Sequence, residues 1–430
     1  MKLKKQVRVI DRSRPVQTKL PGNAWLIVFL LFWVGALNYL DRNTIATMRS
    51  SIIESIPMTD AQFGMLTSVF LWTYAFFSPV AGFIADRFSR SKVIIFSFIV
   101  WSLVTWLTSY ATTYDQLVAT RVLMGISEAF YLPAAGALII DYHRNSTQSI
   151  ATSIHLTGVN LGSTLGFIGG WLAEKHTWQY AFHLFGLVGL AYAAILLFLL
   201  KDRPKDSSER NDKSKSRGEE AKGNINFGIA VVDLFKNRAF ICLFLFWGIL
   251  GIVGWTIMAW LPTFFKEQFN LSQSMAGFYA TAFLYPAFIV GLLLAGFLSD
   301  RWSKRNRYAR ILVPVIGLSI AAPCVFFASW TTILPVSVLL FMLYGLTRSS
   351  VDANFTPIAC SIISLEYRST GLGVLNMIAT TVGGLGIYLA GMSRDLQVSF
   401  KTIYQMVALS MVICVFLLWL IKREQSKKKE

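Results

Sequence analysis

The stretch Gly82-Phe83-Ile84-Ala85-Asp86-Arg87-Phe88-Ser89-Arg90 returns later in the chain as Gly296-Phe297-Leu298-Ser299-Asp300-Arg301-Trp302-Ser303-Lys304. Each copy ends an apolar segment. A second pair follows in the same order, with Glu128-Ala129-Phe130-Tyr131-Leu132-Pro133 repeated as Asp352-Ala353-Asn354-Phe355-Thr356-Pro357. Two pairs in one order indicate that the chain contains a duplicated unit.

The composition indicates a membrane protein. The chain has 430 residues, of which 54% are hydrophobic and only 15% are charged, and its mean hydropathy is +0.53. A soluble protein carries about 25% charged residues, so a water-soluble enzyme is excluded. Apolar runs of about 20 residues recur, and each is long enough to cross a bilayer as a helix.

The apolar runs predict an all-α membrane protein with 12 transmembrane helices in two pseudo-symmetric six-helix halves. The predicted spans are 24–46, 63–85, 93–111, 116–140, 149–172, 179–200, 239–264, 274–298, 310–329, 333–360, 370–392 and 401–421. The corresponding regions are an N-terminal tail (1–22), a first bundle (23–200), a linker (201–236), a second bundle (237–421) and a C-terminal tail (422–430). Such duplicated bundles are typical of secondary transporters, whose substrate site lies near the bilayer midplane.

The net charge of +17 comes from short segments between and beyond the spans. Nucleic-acid binding requires basic residues on one folded face, so no nucleic-acid partner is expected. Basic tails and loops are typical of the cytoplasmic side. We therefore expect both termini inside, in the plasma membrane, or in the inner membrane of a Gram-negative bacterium. The partners are the lipid bilayer and a small molecule, and the protein is expected to act as a monomer.

Charged residues inside the spans are costly and usually functional. Span one contains Asp41 and Arg42, span four contains Arg121 and Glu128, and span ten contains Arg348 four residues before Asp352. One interpretation is that they are ion pairs that hold helices together. The other is that they bind substrate or protons, which the number of such groups favours, because buried ion pairs add little stability.

Arginines in a cavity suggest an anionic substrate, because a guanidinium binds a carboxylate or phosphate through two hydrogen bonds. Arg42 and Arg348 are the candidates for binding the anion. Arg121 is either a third candidate or the permanent ion-pair partner of a carboxylate. Tyr39 and Tyr74 lie well inside their spans and are assigned to the cavity. In span eleven, Asn376 and Thr381 either contact substrate or join helices, and in span five His155 either relays protons or bonds a neighbouring helix.

The two repeated loops are predicted to form a gate. An acid followed by basic residues at helix ends can form contacts in one conformation and release them in another. The candidate gating residues are Gly82, Asp86, Arg87 and Arg90 in the first copy and Asp300 and Arg301 in the second.

On these motifs the chain resembles the major facilitator superfamily over nearly its full length. Within it, Asn38-Tyr39-Leu40-Asp41-Arg42, Arg121-x-x-x-Gly125-x-x-Glu128-Ala129 and Trp260-Leu261-Pro262-Thr263 are similar to the anion:cation symporter family. That resemblance implies that Asp41 and Glu128 couple protons and that Arg121 modulates them. It also implies that Arg42, Tyr39 and Tyr74 contact substrate.

The predicted function is proton-coupled symport of a small organic anion by alternating access, most simply a sugar acid such as a hexuronate or aldonate. Protonation of the two acids would free Arg42 for the substrate. No cofactor is expected beyond protons as the coupling ion, and no metal site is predicted. The alternative is a spinster-like carrier of lysolipids or other amphiphiles, whose members also carry an Asn-Tyr-x-Asp-Arg run.

Three departures separate the chain from the sugar-acid carriers. Thr380-Thr381-Val382-Gly383-Gly384 stands where many of them have Gly-Asn-Leu-Gly-Gly, and Asn160 is the nearest polar residue to a glutamine of span five. Arg348 and Asp352 match no position of the family pattern.

Overall fold

A computed structural model describes residues 22–143, 147–203, 227–364 and 367–427. In these ranges the chain forms 17 helices. Those of the first half are α1 (Ala24–Thr47), α2 (Arg49–Ser55), α3 (Asp60–Arg87), α4 (Arg90–Thr108), α5 (Tyr114–Ala129), α6 (Tyr131–Tyr142), α7 (Gln148–Leu165), α8 (Phe167–Lys175) and α9 (Trp178–Leu199). Those of the second half are α10 (Phe227–Lys236), α11 (Arg238–Phe269), α12 (Gln273–Thr281), α13 (Leu284–Ser303), α14 (Ala309–Trp330), α15 (Leu334–Ile362), α16 (Arg368–Asp395) and α17 (Phe400–Lys427).

The predicted all-helical membrane fold is confirmed. Eleven helical stretches within the described ranges are long and apolar enough to cross a membrane, with α5–α6 and α12–α13 each forming one crossing. The predicted span that is not among these eleven stretches is span five, 149–172, which corresponds to α7 and α8, separated at Gly166. α7 is more polar than the other spans because it carries His155, Asn160 and several hydroxyl groups.

Residues 1–21 of the predicted N-terminal tail, 204–226 of the linker and 428–430 of the C-terminal tail lie outside the described residues, whereas 422–427 of the predicted C-terminal tail continue α17. The last ten residues of the predicted linker, 201–236, form α10. The first residues of the linker are docked on the first half. Asp202 accepts hydrogen bonds from the Ser91 N–H (2.8 Å) and the Ser89 hydroxyl (2.5 Å), and the Tyr142 hydroxyl donates to the Lys201 carbonyl (2.9 Å).

Each half is a bundle of closely packed helices. α1 packs along α7 and α4 along α9 in the first half, while α11 packs along α16 and α14 along α15 in the second. Small residues permit the close approach: a Cβ at Gly162 would lie 1.9 Å from the Ala36 carbonyl oxygen of α1, and one at Gly291 would lie 2.0 Å from the Leu346 carbonyl oxygen of α15. Each value is far below van der Waals contact, so both positions require glycine.

The halves join mainly through α3 and α16. Between the halves, the Ser68 hydroxyl donates to the Gly384 carbonyl (2.7 Å) and the Tyr285 hydroxyl donates to Asn43 (3.2 Å). Further cross-half contacts lie at the ends of the bundle that carry the loops after α2, α8, α11 and α16. We call this the far side, and the opposite side, where residues 22 and 427 lie, the terminus side. At the terminus side, Gly82 and Gly373 have open space beside them.

Candidate functional site

A charged cluster is sealed inside the first half. The Arg42 guanidinium of α1 donates to the Glu128 carboxylate of α5 at 2.6 Å, and their side chains are 4% and 0% exposed. The second guanidinium nitrogen of Arg42, Nη2, and the second oxygen of Glu128 have no partner within the described structure. The pair is therefore desolvated but incompletely bonded, so breaking it would leave an unpaired buried charge.

The other two charges of the cluster lie beside this pair. Asp41 is buried and accepts a hydrogen bond from the Thr105 hydroxyl of α4 at 3.0 Å. Arg121 is 2% exposed, its guanidinium carbon lies 5.4 Å from the ring centre of Phe182, and its Nε and Nη2 have no hydrogen-bond partner among the described residues. When all four side chains are ionised, the two acids and two arginines of this buried cluster have a net charge of zero. Protonation of either acid makes the net charge of the cluster positive.

Aromatic rings surround the Arg42 guanidinium. Its carbon lies 4.6 Å from the ring centre of Tyr74, 4.8 Å from that of Tyr39 and 5.0 Å from that of Phe70. Ring faces stabilise a cation whose water has been removed. The rings and Glu128 together hold Arg42 away from the space between the halves.

A cavity of about 340 Å³ lies between the halves at mid-depth. Most of its wall belongs to α11, α13, α15 and α16, and the first half contributes Tyr39, Val159, Asn160 and Ser163. The wall is largely apolar and aromatic. Its aromatic residues besides Tyr39 are Trp247, Trp255, Tyr285, Phe288 and Tyr344.

Arg348 and Asp352 are the charged groups of this wall. They form an ion pair along α15, with side chains 12% and 36% exposed. The Arg348 guanidinium carbon also lies 5.6 Å from the ring centre of Phe288. Nearby, the rings of Trp247 and Phe355 stack at 3.5 Å. The cavity thus offers one guanidinium, one carboxylate and a set of ring faces.

The predicted site residues divide into two groups. Tyr39, Arg348 and Asn376 line the cavity, whereas Arg42 and Tyr74 lie in the sealed cluster with the predicted proton sites Asp41, Glu128 and Arg121. Thr381 is not among the cavity-lining residues, and its carbonyl oxygen accepts a hydrogen bond from the Trp72 indole at 2.9 Å. Its neighbour Thr380 lines the cavity instead.

Sequence reasoning missed Trp247, Tyr285 and Phe288. Tyr285 precedes Pro286 at the start of α13, and a polar aromatic residue beside a helix break inside a span was a usable signal. His155 donates to, or accepts from, the Tyr131 hydroxyl at 2.8 Å, which is the helix-bonding role considered for it.

The predicted gating residues lie at the terminus side, and the contacts that they make stay within one half. Arg90 pairs with Asp141 of α6 and also donates to the Ala137 carbonyl at 3.2 Å. Asp300 pairs with Arg310 of α14 at 3.3 Å. The exposed Arg87 lies over the Phe83 ring at 5.2 Å, and Arg301 is also exposed. The side chain of Asp86 lies outside the described part of the structure.

Metal coordination finds no support in the described ranges, where no group of three or more His, Cys, Asp or Glu side chains is arranged to hold an ion. The four cysteines, Cys242, Cys324, Cys360 and Cys414, are free thiols.

Sequence comparison gives two kinds of match. A sequence model of the Major Facilitator Superfamily matches residues 31–387. Among curated proteins, spinster homolog 1 of Xenopus tropicalis is 26% identical over 86% of this chain and 72% of its own length. Spinster homolog 3 of Danio rerio is 26% identical over 95% of this chain and 85% of its own length.

Structural comparison gives similar architectures. A bacterial homologue of the human lysosomal transporter spinster, in an inward-facing and occupied conformation, has a TM-score of 0.76 at 22% identity, covering 93% of this chain and 97% of its own. A D-xylose–proton symporter has a TM-score of 0.73 at 14% identity, covering 92% and 97%. At these identities the likeness concerns the fold.

Proposed function

Because this chain belongs to the Major Facilitator Superfamily, we propose that it carries an amphiphilic organic anion across the membrane by alternating access. The protein is a transporter of this superfamily and not an enzyme. The anionic group of the substrate binds Arg348, and its apolar part lies against the aromatic wall of the cavity. The observation that carries the proposal is the make-up of this cavity, where the Arg348 guanidinium, paired with Asp352, stands among apolar and aromatic side chains.

The same cavity favours an amphiphile over a sugar acid. A sugar acid brings several hydroxyl groups, and each needs a hydrogen-bond partner once it leaves water. Two of the polar residues in the wall already donate to their own helices: Asn160 to the Leu156 carbonyl at 2.9 Å and Thr380 to the Asn376 carbonyl at 3.0 Å. Arg42, the other candidate for a sugar carboxylate, is held by Glu128. The similarity to spinster proteins also supports the amphiphile.

Proton coupling belongs to the sealed cluster in this proposal. Protonation of Glu128 removes the charge that holds Arg42, and Asp41 and Arg121 adjust the charge of the same volume. An inward proton gradient would then drive the anion against a negative-inside potential, which opposes its entry by about 2.3 kcal/mol per charge per 100 mV. The same proposal includes a location in the plasma membrane, or in the inner membrane of a Gram-negative bacterium, with both termini in the cytoplasm.

The test compares two ligand classes with purified protein in proteoliposomes. Uptake of a labelled lysophospholipid and of labelled glucuronate is measured with and without an inward proton gradient. We expect gradient-dependent uptake of the lysophospholipid only. Arg348→Gln should weaken its binding about tenfold to a hundredfold, because a charge-assisted hydrogen bond is lost.

Arg305→Gln is the matched control, since Arg305 is an exposed arginine at the terminus side, and it should bind as the parent protein does. Uptake of glucuronate without uptake of the lysophospholipid would contradict the amphiphile and restore the sugar-acid prediction. Unchanged binding in Arg348→Gln would contradict the assigned anion site.

A further inference from the structure

The start of α3 is held from the opposite half of the molecule. α3 begins at Asp60, and the hydroxyl of its N-cap residue Thr59 accepts the Gln62 N–H at 3.2 Å. The N–H groups of Asp60 and Ala61 have no partner within their own helix, as in the first turn of any helix. Both donate to the carboxylate of Asp395, at 2.8 and 3.0 Å. Asp395 is the last residue of α16.

The start of α12 is held in the same way, with the halves exchanged. α12 begins at Gln273, and the hydroxyl of its N-cap residue Ser272 accepts the Met275 N–H at 3.3 Å. The N–H of Ser274 donates to the carboxylate of Glu174 at 2.6 Å. Glu174 lies in α8, near the end of span five of the first half, as Asp395 ends span eleven of the second.

The sequence around the two acids is also repeated. Gly170-Trp171-Leu172-Ala173-Glu174 and Gly391-Met392-Ser393-Arg394-Asp395 both place a glycine one helical turn before the acid. A Cβ at Gly170 would lie 2.8 Å from the Thr47 carbonyl oxygen, and one at Gly391 would lie 2.4 Å from the Asp60 carbonyl oxygen. Gly391 therefore lets α16 approach α3 of the opposite half closely enough for Asp395 to reach it, whereas Gly170 lets α8 pack closely against α1 of its own half.

We propose that Asp395 and Glu174 are two matched clasps that hold the far side of the transporter closed, and that both open together when the far side opens. A carboxylate at a helix N-terminus is favourable because it accepts free N–H groups and faces the positive end of the helix dipole. Each acid belongs to the half opposite its helix, so these bonds exist only while the far sides of the halves touch. The role in the cycle rests on the proposed transport function.

The two clasps differ in their surroundings. Beside Asp395, Arg49 pairs with Asp60, and Arg394 lies 3.7 Å from Asp60 and donates to Glu267 at 2.6 Å. Beside Glu174, Gln273 donates to the Gly170 carbonyl at 3.3 Å and to the Ser51 hydroxyl at 2.9 Å, and the nearby Lys266 donates to the Ser50 hydroxyl at 2.6 Å. The first clasp is thus one member of a network of ion pairs, and the second lies beside cross-half hydrogen bonds to neutral acceptors.

Hydrogen–deuterium exchange of the full chain in lipid nanodiscs tests the proposal without any substrate. Asp395→Ala and Glu174→Ala are compared with the parent protein and with Glu54→Ala, an exposed acid of α2 on the same side. Exchange is followed in the peptides that cover 59–66 and 271–278, while a peptide from the buried helix α14 reports the integrity of the fold.

We expect each clasp variant to accelerate exchange in both peptides, by about fivefold, the population change that loss of one helix cap produces. The α14 peptide and Glu54→Ala should match the parent. Acceleration confined to the peptide whose own clasp was removed would show that the acid only caps its helix, and would overturn the proposal, as would no change in either peptide. Because substrate is absent, these outcomes are independent of the uptake tests.

Discussion

Glu128 and Asp352 occupy matching places in the two copies of the repeat, yet they lie in opposite environments. Glu128 is 0% exposed and bonds an arginine from another helix, whereas Asp352 faces the cavity and pairs with an arginine of its own helix. The duplicated halves therefore differ in what they hold: the first half has a sealed charge cluster, to which the proposed function assigns the protons, and the second has an accessible ion pair, to which it assigns the substrate.

The largest expected effect tests this division directly. Glu128→Gln removes the charge that can take up a proton, so uphill accumulation driven by a proton gradient should disappear while exchange of labelled for unlabelled substrate persists. Accumulation and exchange are measured in the same proteoliposomes. Asp352→Asn is the matched control and should still accumulate substrate. If the two variants behaved alike, the division between the halves would be refuted.

The next effect concerns the close packing of α7 against α1 in the first half. Gly162→Ala places a methyl group against the Ala36 backbone, which should push α7 from α1 and cost about 1–3 kcal/mol of stability. Thermal unfolding in detergent measures it as a lower Tm. Gly82→Ala, where the added methyl group meets open space, should leave Tm unchanged. An equal fall in Tm in both variants would show that the close packing of α7 against α1 does not determine the stability of the protein.

A smaller effect is expected at the accessible pair. Asp352→Asn removes the carboxylate that competes with a substrate anion for Arg348. This ion pair is partly exposed, and loss of a competing interaction of about 1 kcal/mol should raise the affinity for an anionic amphiphile about threefold to fivefold. Equilibrium binding measures the change. A fall in affinity would indicate instead that Asp352 binds a positive group of the substrate.

The smallest effect is expected from Tyr74→Phe. The ring face over Arg42 remains and only the hydroxyl is lost, so transport should change less than about twofold. Tyr74→Leu, which removes the ring, is the contrasting variant and should reduce coupling more. Uptake rates of the two variants decide between the ring and the hydroxyl. A large loss in Tyr74→Phe would assign the role to the hydroxyl.

The fold was predictable because its signals are local. Apolar runs of span length and the repeated loop at 82–90 and 296–304 do not depend on how helices pack, and they yielded the two six-helix halves. Helix boundaries were predicted less accurately than the number of spans. The predicted linker runs to residue 236, but α10 begins at 227. Its first residues, Phe227-Gly228-Ile229-Ala230-Val231-Val232, are apolar, but the run is too short to span a membrane.

The site was predictable only in its residue types. The sequence places Arg42 and Arg121 in the membrane, but which of them meets Glu128 depends on the rotation and depth of α1 relative to α5, and in the structure it is Arg42. Thr380 and Thr381 show the same difficulty on a smaller scale, since one residue of helical phase decides which side chain faces the cavity. By contrast, the sequence alone shows that a glycine is followed four residues later by an acid at both 170–174 and 391–395.

The polarity of α7 also bears on how the protein is made. Insertion machinery evaluates segments by their apolarity, and α7, with its histidine, asparagine and hydroxyl groups, falls short of the eleven stretches that qualify by themselves. It packs along α1, which is synthesised more than a hundred residues earlier. The face of α1 that α7 covers, which includes Phe32 and Ala36, therefore remains uncovered until α7 emerges from the ribosome, whereas Asp41 and Arg42 meet α4 and α5, which are synthesised before α7.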